Sequence, residues 1–510
     1  DRMLDKAKPI IRKIEDNMQE LQRFQDELVQ EESSKEEEIL LHFPTVYIHN
    51  WKKTGEYEVY IGESNDIVQR TKQHYDDRRK NDSWQHNLFE NQASLYIIGH
   101  EHFNKSMTLD IENRLMHYMM SADRVRKIHN LRGNPQNRYY PDGETDGIFQ
   151  MIWRRLRRDN KELFPTESAI KDSAVFKASP LHKLTEDQEN IKECILRRVF
   201  DALKTGQGRQ LIFIEGEAGT GKTVLNSSTF YEIFVRAKEG KMEALSCFML
   251  VNHDEQVGVY QQIARKLGLT DEYGEVVCKP TTFINHHSPE EPVDVAFIDE
   301  AHLLLTQGKQ SYQGSNQLKD IIERAKVTVV MFDENQILTT EQYWEAQILE
   351  EYRELAKEQN NYFELTIQLR LRASKEMMDW LDAFTKEQQL FKLPENLGGY
   401  DIQIFETPAD LESALRKKAS DEKHRLSRII ASYDWEYNQK NARADEMSQY
   451  WEVIIGNWHK PWNRELERNM DKKTKKANKS LSWAEQPQTI DEVGSTFTIQ
   501  GFDLNYAGVI

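Results

Sequence analysis

One stretch constrains the fold of this chain more than any other: residues 211–223, which read LIFIEGEAGTGKT. An apolar run typical of a buried strand leads into the pattern G-x-x-x-x-G-K-T, and a helix is expected to follow. Glycines allow backbone N–H groups to curl around a phosphate, and the positive end of the helix faces the same group. Lys222 is expected to reach the β- and γ-phosphates of ATP, and Thr223 to ligate Mg²⁺. The residues predicted to bind the nucleotide in this loop are Gly216, Gly219, Thr220, Gly221, Lys222 and Thr223.

A second buried strand is predicted to end in acidic side chains. The apolar run at 293–298 is followed directly by Asp299 and Glu300. Such strand ends are where parallel α/β sheets place active-site carboxylates. We expect Asp299 to hold magnesium and Glu300 to activate the water that attacks the γ-phosphate.

Two more strands are predicted to deliver polar residues to the same edge of the sheet. The run at 327–332 is followed by D-E-N-Q, whose Gln336 is expected to sense the γ-phosphate. The strand at 362–368 leads to Arg370, a candidate arginine finger.

Length and cysteine content place limits on the class of protein. The chain has 510 residues, enough for roughly three domains. It has no run near ~18 apolar residues, and its first residues lack the apolar segment of a secretory signal, so we expect neither a secretory signal nor a membrane partner. The cysteines, Cys194, Cys247 and Cys278, lie far apart, which indicates a reducing, cytoplasmic setting without a zinc cluster.

The net charge of −17 is not typical of a nucleic-acid-binding protein, but affinity depends on local patches. Basic runs at 154–158 and 472–479 are either nucleic-acid contacts or solvated linkers. The aromatic residues just before the second run either stack on bases or belong to a core. The tryptophans concerned are Trp435, Trp451, Trp458 and Trp462.

The first segment, residues 2–38, contains no glycine and is predicted to be one long helix. Its apolar residues recur at alternating steps of three and four, as in a short coiled coil. This stripe favours either a homo-oligomer formed through the helix or a helix packed on its own domain. The residues of the stripe are Ile11, Ile14, Met18, Leu21 and Leu28.

A new domain is predicted to begin at Thr45 as a small α+β unit. Gly55 is expected to form the turn of its hairpin. The predicted elements are strands at 46–48, 57–61 and 93–98 and helices at 65–77 and 109–120.

Several polar residues of this unit, in their order and approximate spacing, resemble the GIY-YIG nuclease family over about residues 45–140. They are Tyr47, Tyr60, Arg70, His74, Glu112 and Asn130. The sequence V-Y-I at 46–48 departs from G-I-Y, and Asn134 and Asn137 compete with Asn130 for the last position.

The chemistry of these residue types suits hydrolysis of a phosphodiester. A lone carboxylate, Glu112, fits a single-magnesium site, and Arg70 can hold a phosphate oxygen through paired donors. Tyr47, together with Tyr60 or His74, can relay the proton of the attacking water.

The motifs of the remaining chain resemble a superfamily 1 helicase-like ATPase of the Schlafen type, over about residues 182–510. Gln188, just before a helix predicted at 190–203 and capped by Thr185, is similar to the helicase Q motif, which implies contact with adenine. Residues 495–510 resemble a motif of the second motor lobe, and the resemblance places the last arginine motif of the family beyond Ile510.

We therefore expect an α/β protein with five parts. They are a helical segment at 1–40, a GIY-YIG domain at 45–150, a basic linker at 151–181, a RecA-like ATPase lobe with a parallel sheet at 182–395, and a partial second lobe at 396–510.

The predicted function is a magnesium-dependent DNA endonuclease coupled to an ATPase, with defence against invading DNA suggested by analogy alone. RNA as the target, or an ATP-gated assembly protein whose nuclease fold only binds nucleic acid, are the alternatives.

Overall fold

A computed structural model describes most of the chain. The described residues are 8–30, 35–77, 84–130, 142–206, 208–240, 242, 245–306, 312, 314, 316–336, 344–366, 373–421, 424–438, 449–478, 481–499 and 503–510. Within these ranges, no helix combines the length and the apolar character needed to span a membrane.

The first part of the described chain is built on a five-stranded sheet with the order β1-β4-β2-β3-β5. Its strands are β1 (Ile10–Glu15), β2 (Thr45–Lys53), β3 (Glu56–Ser64), β4 (Ser94–Gly99) and β5 (Val125–Ile128). β2 and β3 form the predicted hairpin, and Thr54 and Gly55 turn the chain at positive φ of 53° and 88°. β5 joins the edge parallel to β3.

Helices cover this sheet and continue into the region predicted to be a linker. They are α1 (Met18–Gln30), α2 (Lys35–Glu37), α3 (Ile67–Asp77), α4 (Asn87–Glu90), α5 (Lys105–Met120), α6 (Asp142–Asp159), α7 (Glu167–Asp172) and α8 (Ala174–Lys177), with a π-helix at Glu38–His42 and a 3₁₀ turn at Trp84–His86. The Asn104 side chain caps α5 by accepting from the N–H of Met107.

The prediction of one long N-terminal helix is wrong. Ile11 and Ile14 lie in β1, where antiparallel pairing with β4 satisfies the backbone groups that a helix would have paired locally. The helix α1 starts only after Asn17, whose side chain accepts from the N–H of Glu20.

The apolar stripe that suggested self-association packs within the chain itself. Leu21 and Leu28 are buried in the same cluster as Trp51 and Ile67 of the first sheet and its helix α3. Met18 is 40% exposed and does not belong to that cluster. The observed packing therefore matches the second alternative, a helix on its own domain.

Residues 151–181 are not a linker. Trp153 and Leu156 on α6 are fully buried, while Arg154 and Arg158 face solvent, so the basic run is the outer side of an amphipathic helix. Ile170 of α7 is also buried, and these residues belong to one apolar core that continues into the next sheet.

The second sheet has six described strands, all parallel to their neighbours, in the order β11-β6-β10-β9-β7-β8. They are β6 (Gln210–Gly216), β7 (Cys247–Val251), β8 (Val277–Cys278), β9 (Val293–Asp299), β10 (Ala325–Phe332) and β11 (Tyr362–Leu365). Near-continuous apolar strands fit a sheet that is covered by helices on both faces.

The helices around this sheet alternate with the strands. They are α9 (Glu186–Thr205), α10 (Lys222–Glu239), α11 (Asp254–Lys266), α12 (Leu269–Tyr273), α13 (Pro280–His286), α14 (Gln317–Ile322) and α15 (Ala346–Glu358), with 3₁₀ turns at Ala301–Leu303 and Glu334–Gln336. The predicted cap of α9 is confirmed, because Thr185 and Gln188 form a reciprocal capping box.

The last part of the described chain contains a parallel three-stranded sheet, β15-β12-β16, and a hairpin of β13 and β14. The strands are β12 (Ser427–Ala431), β13 (Glu452–Ile455), β14 (Trp458–Pro461), β15 (Val493–Ser495) and β16 (Tyr506–Val509). The helices are α16 (Lys375–Thr385), α17 (Pro408–Ala419), α18 (Glu465–Arg468), α19 (Lys472–Asn478) and α20 (Thr496–Ile499), with 3₁₀ turns at Trp483–Glu485 and Pro487–Asp491.

The tryptophans of this part form its core. Trp462 is fully buried, and Trp435, Trp451 and Trp458 pack against the same apolar cluster as Val453. The packing supports the core alternative for these aromatic residues over base stacking.

Because one face of α1 is buried and the other is exposed, substitutions on the two faces should differ in their effect on stability. Leu21→Ala should lower the free energy of unfolding by about 2–5 kcal/mol, because it opens a cavity in the apolar cluster that contains Trp51 and Ile67. Met18→Ala on the same helix should change it by no more than about 0.5 kcal/mol. Urea unfolding of both variants measures this, and equal losses would contradict the packing of α1 on its own sheet.

Candidate functional site

The loop after β6 has the shape of a phosphate cradle. Gly219 and Gly221 adopt positive φ of 85° and 83°, which favours glycine at both positions. A Cβ at Gly216 would lie 2.5 Å from Thr220 Oγ1, so the tight curl of the loop also requires glycine there. The helix α10 begins immediately after Gly221 and directs its N-terminus into the loop.

Lys222 lies inside this loop. Its Nζ donates to the carbonyl oxygens of Gly216 at 2.5 Å and Glu217 at 2.9 Å. It also pairs with Asp333 Oδ2 at 3.2 Å, and both side chains are buried. Gln336 Nε2 donates to the same Asp333 oxygen at 2.5 Å. The predicted lysine and glutamine are therefore joined through Asp333, to which the sequence analysis assigned no role.

Asp299 lies at the end of β9, buried and with one oxygen engaged. The Tyr260 hydroxyl donates to Oδ2 at 2.7 Å. Among the described residues, no side chain donates to Oδ1. Burial, and then the charge of Glu300, raise the pKa of Asp299 to about 6. A carboxylate oxygen left open in this way fits a hard cation such as Mg²⁺.

Glu300 is held in an uncommon backbone conformation. Its φ is 50°, in the left-handed region, and it is mostly buried. His302 Nε2 lies 3.1 Å from Glu300 Oε2. Burial lowers the pKa of His302 to about 4, so this imidazole is neutral near pH 7.

Gln188 connects the start of α9 to the phosphate loop. Its Oε1 accepts from the Thr185 N–H at 2.9 Å, and its Nε2 donates to the Thr220 carbonyl at 3.2 Å. Thr223 lies half-buried in the first turn of α10. Arg370 lies outside the described residues.

A further ion-pair network borders the loop. Arg353 on α15 donates to both carboxylate oxygens of Glu215, at 2.6 and 2.8 Å, and to Glu334 at 2.8 Å. Tyr362 donates to Glu215 at 2.6 Å. Such pairs between distant parts of the chain leave no local signal in the sequence.

A second polar cluster lies on the first sheet, and it contains five of the six residues predicted there. The Tyr47 hydroxyl lies 3.0 Å from His74 Nε2. The Tyr60 ring stacks on the Tyr47 ring, with centroids 6.3 Å apart, and meets the His74 ring edge-on. Burial lowers the pKa of His74 to about 3, so it is a neutral acceptor for the Tyr47 hydroxyl.

Arg70 and Glu112 place opposite charges beside the two phenols. Burial raises the pKa of both Tyr47 and Tyr60, and the adjacent Arg70 guanidinium opposes this rise. Arg70 itself is exposed, whereas Glu112 on α5 is buried and its charge adds to the raised pKa of both phenols.

Asn130 has a different position from these five. Its Nδ2 donates to the Ile61 carbonyl at 2.5 Å, so it anchors the strand that carries Tyr60. Asn134 and Asn137 lie outside the described residues.

Gly62 explains how the tyrosines come together. In the β2–β3 ladder Tyr47 lies opposite Gly62. A Cβ at Gly62 would lie 2.4 Å from Cζ and Oη of Tyr47. The phenol therefore rests directly on the backbone of the neighbouring strand.

Sequence reasoning missed a buried group beside this cluster. His49 Nδ1 donates to Asp16 Oδ2 at 2.5 Å, and Tyr75 donates to Asp16 Oδ1 at 2.6 Å. Trp84 stacks on Tyr60 with a centroid distance of 4.1 Å. Asp16 precedes the predicted domain, so motif spacing could not identify it.

The loop, the parallel sheet and the carboxylates at its edge are those of a P-loop α/β fold built on strands β6 to β11. A family model described as Schlafen group 3, DNA/RNA helicase domain, matches residues 209–510, and the chain belongs to this family. The predicted Schlafen-type helicase-like domain is thus confirmed. The Tyr47 cluster lies before the matched residues.

The chain is also similar to an uncharacterized protein of Saccharomyces cerevisiae. The two are 29% identical over an alignment of 388 positions, which covers 70% of this chain and 79% of the yeast protein.

The close contact at Gly62 gives a direct test of the second cluster. Gly62→Ala should lower the free energy of unfolding by about 1–3 kcal/mol, because the new methyl group displaces the Tyr47 ring. Gly258→Ala, at an open helical position, should raise it by roughly 0.5–1 kcal/mol. Thermal unfolding measures both, and a neutral Gly62→Ala variant would contradict the packing of Tyr47.

Proposed function

We propose that the P-loop domain hydrolyses ATP and that the second cluster hydrolyses a nucleic-acid phosphodiester under its control. The ATPase proposal depends above all on one observation, the convergence of Lys222, Asp333 and Asp299 at the carboxyl edge of the parallel sheet. The Schlafen-type helicase-like family supports a nucleic-acid-related NTPase.

Different residues of the loop would contact different parts of ATP and its Mg²⁺ ion. The N–H groups around Gly219 and Gly221 would surround the phosphates, and Lys222 would exchange Asp333 for the β- and γ-phosphate oxygens. Thr223 and Asp299 would hold Mg²⁺, which supplies positive charge between the phosphates when bound.

The remaining predicted residues surround the γ-phosphate and the base. Glu300 would accept a proton from the attacking water, and Gln336 would sense the γ-phosphate through its contact with Asp333. Gln188, which is buried and bonded to the Thr220 carbonyl of the loop, would contact adenine, and Arg370 would act as the arginine finger.

The proposal of a GIY-YIG endonuclease rests on the grouping of Tyr47, Tyr60, Arg70, His74 and Glu112 around one point of the first sheet. Arg70 is exposed, and its guanidinium can donate paired hydrogen bonds to a phosphate group. Tyr47 can pass its hydroxyl proton towards the neutral His74 as it takes a proton from water.

Glu112 would hold the metal ion of the nuclease. Within the described ranges no group of three or more His, Cys, Asp or Glu side chains could hold a metal. A metal at Glu112 would therefore rely on this single carboxylate together with oxygen atoms of water and substrate, as Mg²⁺ tolerates.

We favour DNA over RNA as the target, with defence against invading DNA as the setting, on analogy alone. The departure of the first motif at Val46 favours a second candidate function, an assembly protein whose nuclease fold binds nucleic acid without cutting it. Cleavage assays with labelled DNA and RNA, with and without ATP and Mg²⁺, separate these functions.

The ATPase proposal predicts different defects for two variants. Lys222→Ala should reduce ATP hydrolysis by about 10²–10³-fold, because it removes the cation that faces the transferred phosphoryl group. Glu300→Gln should retain nucleotide binding and reduce turnover by about 10²–10⁴-fold. Phosphate release and binding of a fluorescent ATP analogue measure the two properties.

Lys238→Ala serves as the matched control, since Lys238 lies on the same helix and pairs with Glu272 at the surface. It should hydrolyse ATP as the wild type does. A Glu300→Gln protein with wild-type turnover would show that Glu300 does not activate the water.

The nuclease proposal predicts that Glu112→Ala and Arg70→Ala abolish cleavage and leave ATP hydrolysis intact. A chelator should stop cleavage by the wild type. Asp110→Ala, on the same helix but paired with Arg114, is the control and should still cut. If Glu112→Ala cleaves at the wild-type rate, this cluster is not the nuclease site. The second candidate function, binding of nucleic acid without cleavage, would then be favoured.

A further inference from the structure

One helix, α11, contacts the nucleotide site and the end of α5, the helix that carries Glu112. It follows β7 in the second sheet, and it makes these two contacts through residues that leave it on different faces, Tyr260 and Lys266. Both residues are buried.

At its end, Lys266 reaches into the first domain. Its Nζ donates to the carbonyl oxygens of Met120 at 2.8 Å and Ala122 at 2.9 Å, at the C-terminus of α5. Burial lowers the pKa of Lys266 to about 8, and the charge of Asp123 opposes this shift. The ammonium thus satisfies the last carbonyl group of α5, that of Met120, and faces the negative end of the helix dipole, while the Ala122 carbonyl also accepts from the N–H of Val125.

This arrangement has a cost that an ordinary packing contact would not have. A buried ammonium loses its hydration, and an apolar side chain of similar length would fill the same space without that loss. The gain is a fixed position for the end of α5, the helix that carries Glu112. Glu112 lies eight residues before Met120, which is about 12 Å along the helix.

At its middle, α11 contacts the nucleotide site. The Tyr260 hydroxyl donates to Asp299 Oδ2 at 2.7 Å and so determines which carboxylate oxygen stays open. Burial, with the charge of Asp299, raises the pKa of Tyr260, so the phenol stays protonated and remains a donor.

The helix between these two contacts is firmly packed. Ile263 and Ala264 belong to the same apolar core as Met119 and Ala122 at the end of α5. Close-packed interiors transmit displacements instead of absorbing them.

We propose that α11 is a shared positioning element, with Tyr260 orienting Asp299 and Lys266 placing the α5 helix that carries Glu112. A change at Asp299 when Mg²⁺ and nucleotide bind moves Tyr260, and α11 carries the movement to the end of α5. The consequence of this inference, that the cleavage rate responds to the nucleotide state, rests on the proposed function.

Hydrogen–deuterium exchange tests the inference without requiring cleavage. In the full chain, Mg²⁺ with the non-hydrolysable analogue AMP-PNP should change the exchange of amides at 113–122. Lys266→Met should lose this change while still binding the analogue. Arg265→Met, at the exposed neighbouring position, is the matched control and should respond as the wild type does.

Tyr260→Phe tests the contact of α11 with Asp299. It also provides an independent test if the Lys266→Met variant does not fold. It removes one hydroxyl group and should also abolish the response of 113–122. It should in addition raise the Mg²⁺ concentration that gives half-maximal ATP hydrolysis by several-fold, an effect that a merely structural role would not produce. If both variants keep the wild-type exchange response, α11 does not connect the sites.

Cleavage assays then separate this inference from the proposed function. In the wild type, the ratio of cleavage rates with and without AMP-PNP should differ from one, and Lys266→Met should bring it towards one. A wild type that responds in exchange but cuts neither DNA nor RNA would overturn the nuclease and support the link. A wild type that binds AMP-PNP without any response at 113–122 would overturn the link.

Discussion

The parallel register of β6 and β10 determines the geometry of the nucleotide site. Phe332 pairs with Glu215, so the next residues, Asp333 and Gly216, emerge side by side at the edge of the sheet. Lys222 then meets the carboxylate of Asp333 and the carbonyl of Gly216 together. Because both charges are buried, neither is stable without the other, and a phosphate is the natural replacement for the carboxylate. A shift of the register by one residue would turn Asp333 to the other face of the sheet.

Much of this site could be predicted because its signals are local. The phosphate loop follows its strand directly and Asp299 ends its own strand, so apolar runs and the residues that end them were sufficient to predict both. Asp333 also follows an apolar strand, but no motif assigned it a role. The same holds for the hairpin of β2 and β3. The grouping of Tyr47, Tyr60 and Arg70 was predicted from a family resemblance in residue order and not from a local signal of this kind.

The failures share a different cause, which is long-range pairing. Ile11 and Ile14 fit a helical stripe, but β4, more than eighty residues away, offers a sheet edge that the stripe does not reveal. The basic run at 154–158 reads as a linker until the buried face of α6 is seen. Asp16 beside His49 and Tyr260 beside Asp299 are contacts between segments that carry no motif in common.

The two candidate sites do not sit on independently packed units. One continuous apolar core contains Ile61 of the first sheet, Trp153 of α6 and Ile212 of the second sheet. In an isolated 45–150 fragment, the sides of α5 and β5 that α8 and α11 cover would be exposed. The fragment would also lack Asp16, the partner of His49, and Lys266, which donates to the Met120 carbonyl. Exposing apolar surface of this kind costs about 25 cal/mol per Å², so the fragment would be less stable than the same residues in the whole chain. A movement within the second sheet must therefore either deform this core or be transmitted across it, and transmission requires a stiff element such as α11.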